Sequence, residues 1–144
     1  MESDVTTVGK VFGKGRPRDG AIDVAVLAAA RELLVELGYA RLTVAAVADR
    51  AGTTKTALYR RWSGKQDLVH DATFADMTAL SAPTGHTDDD LVVMVARVRE
   101  LFNSPVTRAA LPGLVTDMAA DPEVHRRVIA GFAGGFAAFR ERLV

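Results

Sequence analysis

Residues 43–65 read TVAAVADRAGTTKTALYRRWSGK, and the spacing within this stretch decides the fold. An apolar residue, Val47, is followed by a small one, Ala48, four positions before a glycine, Gly52. Leu58 follows six positions after that glycine. Thr43 is a good N-cap for a short amphipathic helix carrying Val44, Val47, Ala48 and Ala51. Gly52 can take the backbone angles of a tight turn, and Thr54 can cap a second helix. Ala48 is small enough for that second helix to cross closely, and Leu58 would lock it onto the first. The spacing predicts a helix-turn-helix over 43–62, with Ala57, Leu58 and Trp62 inward.

The outward residues of the second helix are then Thr54, Lys55, Thr56, Tyr59, Arg60 and Arg61. Residues 53–65 hold four cations, two large aromatic rings and no acid. Such a helix fits the major groove of DNA, its first residues at base edges and its later ones at phosphates. The ordinary alternative for a charge pair such as Arg60-Arg61 is a solvated surface. For Trp62, on the Leu58 face, core packing is the better reading. Tyr59 can be half-buried and still present its hydroxyl. Arg41 and Arg50 suit a structural role as well as a phosphate contact.

Charge is unevenly shared along the chain. Its 144 residues carry 18 Lys/Arg and 18 Asp/Glu. Residues 1–70 hold eleven cations against eight acids, and residues 71–144 seven against ten. A polyanion partner is therefore expected at the front half only. Positions 10–18, KVFGKGRPR, hold four cations and no acid. Residues 1–18 are expected to form a flexible basic arm, ahead of a DNA-binding head over 19–67 and a helical domain over 68–144.

The remaining pattern is helical throughout. From Asp19, Ile22, Val26, Ala29, Ala30, Leu33, Leu34 and Leu37 recur at spacings of three and four, with Gly38 as the stop. A fourth helix is expected from near Lys65 to Leu80, followed by a loop, SAPTGHT, at 81–87. Thr87 with Asp90 resembles a capping box for a helix over 88–103 that would bury Leu91, Val92, Val95, Val98, Leu101 and Phe102. Pro105 restarts the chain, and Pro112-Gly113 is expected to weaken or kink the next helix. Asp121-Pro122 starts a last one, with the stripe Val128, Phe132, Phe136, Phe139 and Leu143. With no strand-like alternation, the class is all-α. The last stripe needs a facing partner, supplied by further chain or by another subunit.

Several function classes have no support. There is no cysteine, hence no disulfide and no thiolate metal site. No apolar run approaches the ~20 residues of a membrane span, and MESDVTTVGK lacks the apolar core of a secretory signal. The plain reading is cytoplasmic, without membrane partners. His70, His86 and His125 lack metal-ligand spacing, and no G-x-S-x-G, P-loop or H-E-x-x-H occurs. GFAGGF at 131–136 lies within a helical stripe, where its glycines permit close packing rather than cradle a phosphate. Neither an enzyme nor a cofactor is expected.

TVAAVADRAGTTKTALYRRWSGKQDLV, at 43–69, resembles the DNA-binding segment of the TetR (tetracycline-repressor) family of transcriptional regulators. The likeness rests on Leu58-Tyr59-Arg60-Arg61-Trp62, then Lys65 and Leu68, and covers roughly residues 19–70. Trp62 stands where phenylalanine is usual, and Gly64 where a polar cap is common. The resemblance implies that Thr43 offers its hydroxyl and amide to a phosphate, and that Thr54, Lys55 and Thr56 approach base edges. It implies Tyr59, Arg61 and Lys65 as phosphate contacts, with Arg60 at either base or phosphate. Gly15-Arg16-Pro17-Arg18 could lie extended in a narrow minor groove through Arg16 and Arg18, or stay a solvated tail.

The function so implied is a ligand-responsive repressor on a double-stranded, pseudo-palindromic operator, acting as a homodimer. In that family the final two helices join the subunits, and this chain is expected to stop short of them. A small apolar effector would enter the later helices near Met94, Val98, Phe102, Met118 and Phe132, residues that ordinary core packing also explains. The reading from another class is a helical ligand-binding or protein-interaction module without specific DNA binding.

Overall fold

The computed structural model describes residues 16–75 and 87–143, with side chains over 20–75 and 88–133. These residues form seven helices and no strand. They are α1 (Arg16–Leu37), α2 (Val44–Ala51), α3 (Lys55–Tyr59), α4 (Lys65–Phe74), α5 (Thr87–Asn103), α6 (Pro105–Ala120) and α7 (Pro122–Leu143). No helix among the described residues is long and apolar enough to cross a membrane.

The central element is α1. Its stripe Val26, Ala29, Ala30, Leu33 and Leu34 is buried, and it packs against α2, α4 and α6. Gly38 takes φ 78° and ends it, an angle at which any Cβ would crowd the following carbonyl. Helix α4 packs on α1 from one side and on α6 and α7 from the other, so it straddles the boundary expected at 67. On that outer side the His70 ring meets Phe132 edge-on, with centroids 4.5 Å apart. Gly131 lets the two helices close, since a Cβ there would lie 2.8 Å from His70 Cε1.

The caps follow the chemistry of the sequence. Ser104 Oγ accepts from Thr107 N at 3.1 Å, ahead of Pro105. Asp121 Oδ1 accepts from Glu123 N at 2.9 Å, ahead of Pro122. Both orders place a side-chain acceptor where the first helical amides lack partners.

Four expectations need correction or restriction. Helix α1 starts at Arg16, not Asp19, so Arg16-Pro17-Arg18 form its first turn rather than the end of an extended arm. Proline fits there because a first-turn amide has no intrahelical acceptor to lose, and Asp19 suits the positive helix end. Residues 1–15 and 76–86 lie outside the described residues, as do the continuation of the fourth helix to Leu80 and most of the SAPTGHT loop. Thr87 is the first residue of α5 rather than its cap. Helix α6 runs unbroken through Pro112-Gly113, because burial of Thr107, Ala110 and Leu114 holds both halves in one helix.

The largest departure concerns α5. Leu91, Val92, Val95 and Phe102 are each at least half exposed, with Leu101 partly buried against the core. The main partner of this helix among the described residues is α6, and within the stripe only Val98 and Leu101 are partly covered. Periodicity marks the side of a helix that favours apolar surroundings, not the neighbour that covers it. On α7, Val128 is buried and Phe132 partly so. Phe136, Phe139 and Leu143 lie beyond the described side chains.

Two side chains fasten α3 to the rest. Leu58 is 1% exposed. Trp62 is buried, and its Nε1 donates to Asp71 Oδ2 at 2.8 Å. Asp71 Oδ1 lies 3.2 Å from His70 Nδ1. The His70 hydrogen bond, with help from Trp62 and against partial burial, holds the Asp71 carboxyl below its ordinary value of 3.8.

We predict that Leu58→Ala costs about 2–5 kcal/mol, read as a lower urea midpoint with an unchanged denaturant slope. Asp71 has a depressed folded pKa, so its stabilisation is complete above its unfolded value and is lost as pH falls through the folded one. Asp71→Asn should therefore be less stable than wild type at pH 7, with the gap closing in acid below the ordinary value of 3.8. Urea midpoints measured across that range check this; an equal gap in acid and at pH 7 contradicts it.

Candidate nucleic-acid interface

The turn between α2 and α3 is set by backbone chemistry. Gly52 sits at φ 73° and its amide reaches Ala48 O and Asp49 O, while Thr53 N bonds Ala48 O at 3.0 Å. These bonds satisfy the last carbonyls of α2 in a left-handed stop that suits glycine. The chain then extends through Thr54, whose Oγ1 accepts from Ala57 N at 3.1 Å and opens α3. Thr43 opens α2 in the same way, accepting from Ala46 N at 3.1 Å. Each threonine oxygen accepts an amide hydrogen, leaving the hydroxyl hydrogen able to donate elsewhere.

With Leu58 inward, α3 turns its other faces to solvent. Thr54, Lys55, Thr56, Tyr59 and Arg60 are all exposed, Tyr59 to 54%. Thr43 is exposed at the start of α2, which packs directly on α3. Six of the expected contact residues thus lie exposed on one helix pair. They present hydroxyl donors, two cations and a phenol, a set that meets base edges and phosphate oxygens well.

Four expected residues do not join that set. Arg61 is exposed as well, but its Nη1 donates to Asp23 Oδ2 of α1. Trp62 goes inward, and its amide continues the helical turn onto Leu58 O at 2.9 Å. Lys65 is partly buried. Its Nζ lies 4.2 Å from the centroid of the Tyr39 ring, and burial lowers the pKa of the ammonium. Arg16 and Arg18 fall in the first turn of α1, with side chains beyond those described. Arg50 is committed to structure: its Nη1 donates to Glu36 Oε1 at 2.7 Å and approaches Glu32 Oε2 at 3.6 Å. That hydrogen bond holds the Glu36 carboxyl below its ordinary value.

Asp71 and Asp23 were the residues missed from sequence. Each braces the chain just after α3 through a partner, Trp62 for one and Arg61 for the other. Separations of nine and thirty-eight residues leave no periodic signal that could have revealed either.

Comparison with known proteins agrees with this geometry. Residues 26–72 match the family model described as bacterial regulatory proteins, tetR family. An uncharacterized HTH-type transcriptional regulator of Bacillus subtilis is 34% identical over 93 residues, 63% of this chain and 47% of that protein. An uncharacterized HTH-type transcriptional regulator of Mycobacterium bovis is 42% identical over 104 residues, 69% of this chain and 50% of that protein. The DNA-binding transcriptional repressor TetR of Mycobacteroides abscessus is 37% identical over 95 residues, 62% of this chain and 46% of that protein. The chain therefore spans about half the length of the curated relatives it matches. The head, over residues 26–72, is thus the part of the chain that matches the tetR family of bacterial regulatory proteins.

Proposed function

We propose that this chain is a sequence-specific, DNA-binding transcriptional regulator that reads its operator through α3. The observation that supports the reading is the exposed row Thr54, Lys55, Thr56, Tyr59 and Arg60 on a helix pinned from behind by Leu58 and Trp62. Thr54, Lys55 and Thr56 meet base edges at the start of the helix. Tyr59 contacts a phosphate, as does Thr43 at the start of α2, and Arg60 reaches a base or a phosphate. A helix N-terminus adds its own amides to such a phosphate contact.

The working unit is a homodimer on a pseudo-palindromic duplex, with its reading helices about one helical turn apart. Repression is the expected outcome, in keeping with the repressor of Mycobacteroides abscessus. Release by a small apolar effector held among α5, α6 and α7 completes the scheme. Such an effector shifts DNA affinity only by its own preference between the two arrangements. The chain carries out no catalysis in this reading, and it acts in the cytoplasm, where the DNA is.

The test is selection of duplexes from a random library, followed by fluorescence anisotropy over a range of salt. Binding should weaken linearly in log salt. Lys55→Ala and Arg60→Ala should weaken it further, each substitution that removes a phosphate contact lowering the slope by about 0.9. Thr56→Ala should relax preference at one base pair by about 1–3 kcal/mol. Salt-insensitive binding that ignores Lys55→Ala and Arg60→Ala refutes the DNA-reading role in favour of an interaction module.

A further inference from the structure

The first turn of α4 follows directly on the reading helix, and Gly64 gives it no side-chain cap. Each of its first three residues is instead fastened outward. Lys65 lies over the Tyr39 ring. Gln66 Nε2 donates to Asp117 Oδ2 at 3.0 Å. Asp67 Oδ2 accepts from Arg127 Nε at 3.2 Å. Asp117 belongs to α6 and Arg127 to α7, so two later helices grip one turn.

The Asp117 contact carries more than a grip. The same oxygen, Oδ2, also accepts from the Tyr39 hydroxyl at 2.5 Å. Tyr39 precedes α2, and Gln66, in the first turn of α4, follows α3. One carboxylate oxygen therefore clasps both ends of the helix-turn-helix segment, with the whole of α2 and α3 between. Tyr39 can lie this close only because Gly113 is opposite: a Cβ there would come within 2.1 Å of Tyr39 Cδ1. Burial, then the hydrogen bond to Asp117, raises the Tyr39 phenol pKa far above its ordinary value. The Tyr39 and Gln66 hydrogen bonds hold Asp117 low, so both donors meet a charged acceptor.

We propose that Asp117 is a positioning residue for DNA reading: by accepting from Tyr39 and Gln66 together, it sets the angle at which α2 and α3 stand on the later helices. The residue touches no DNA. The proposal rests on the DNA-reading function given above. A lost hydrogen bond to a charged acceptor releases one end of the segment, so the reading helix samples orientations that still grip phosphates but miss base edges. Specific binding then falls while non-specific binding, which tolerates many orientations, does not.

The experiment compares affinity for the library-selected duplex with affinity for an unrelated duplex of equal length, at one salt concentration. Tyr39→Phe, Gln66→Ala and Asp117→Ala should each lower the ratio of specific to non-specific affinity about tenfold, the scale of one hydrogen bond to a charged group. Asp117→Asn, which keeps an acceptor oxygen, should recover most of the loss. The double variant Tyr39→Phe/Asp117→Ala should be no worse than Asp117→Ala alone, as expected for partners in one contact. Circular dichroism verifies folding, and if Asp117→Ala unfolds, Tyr39→Phe and Gln66→Ala decide by the same ratio. Ratios within about twofold of wild type in folded variants overturn the proposal, as does a parallel fall of both affinities. A wild-type chain that selects no duplex refutes the DNA-reading function itself, and the proposal falls with it. Selection with unchanged ratios sinks the proposal alone.

Discussion

A helix of five residues has no stability of its own in water, because nucleating a helical turn costs more than so few hydrogen bonds return. Helix α3 exists because Leu58 and Trp62 are buried behind it and Thr54 caps its start. The same burial dictates which side chains remain outside. With Leu58 inward, Lys55, Thr56, Tyr59 and Arg60 are left exposed to solvent. The apolar contact and the polar surface are two results of one rotation of the helix about its axis.

The parts of the fold legible in sequence are those governed by neighbours a few residues apart. Thr43 and Thr54 as caps, Gly38 and Gly52 as left-handed stops, and Leu58 as the inward anchor all depend on short spacing, and the structure agrees with each. Seven of the ten expected contact residues are exposed on or beside α2 and α3, Arg61 among them with its Asp23 contact. What escaped involves partners distant along the chain. Nothing around Arg61 points to Asp23, and nothing around Lys65 points to Tyr39. A cation is recognisable from its letter, but its partner emerges only once the helices have crossed. Pro112-Gly113 teaches the same lesson. Read locally it weakens or kinks a helix, whereas in three dimensions Gly113 is the floor on which the Tyr39 ring rests.

Charge follows a similar division. The surplus of cations in the front half is genuine, yet Arg50 and Arg61 turn to Glu36 and Asp23. The positive character of the α3 surface thus comes from Lys55 and Arg60 rather than from every cation nearby. A count of lysines and arginines overstates the field a partner meets, because paired charges largely cancel at a distance.

Gly113 and Gly131 are the two described positions where a later helix meets the front half with hydrogen alone between them, one under Tyr39 and one under His70. This bears on modularity. Heads of this kind look interchangeable, since each is a compact unit with its own caps and turn. Here the head fits its body as a key fits a lock cut to zero clearance at two points. A chimera that joins residues up to 75 to another helical body therefore inherits two bare patches of ring surface, at Tyr39 and His70. The new body must offer glycine at both, or the graft will sit tilted.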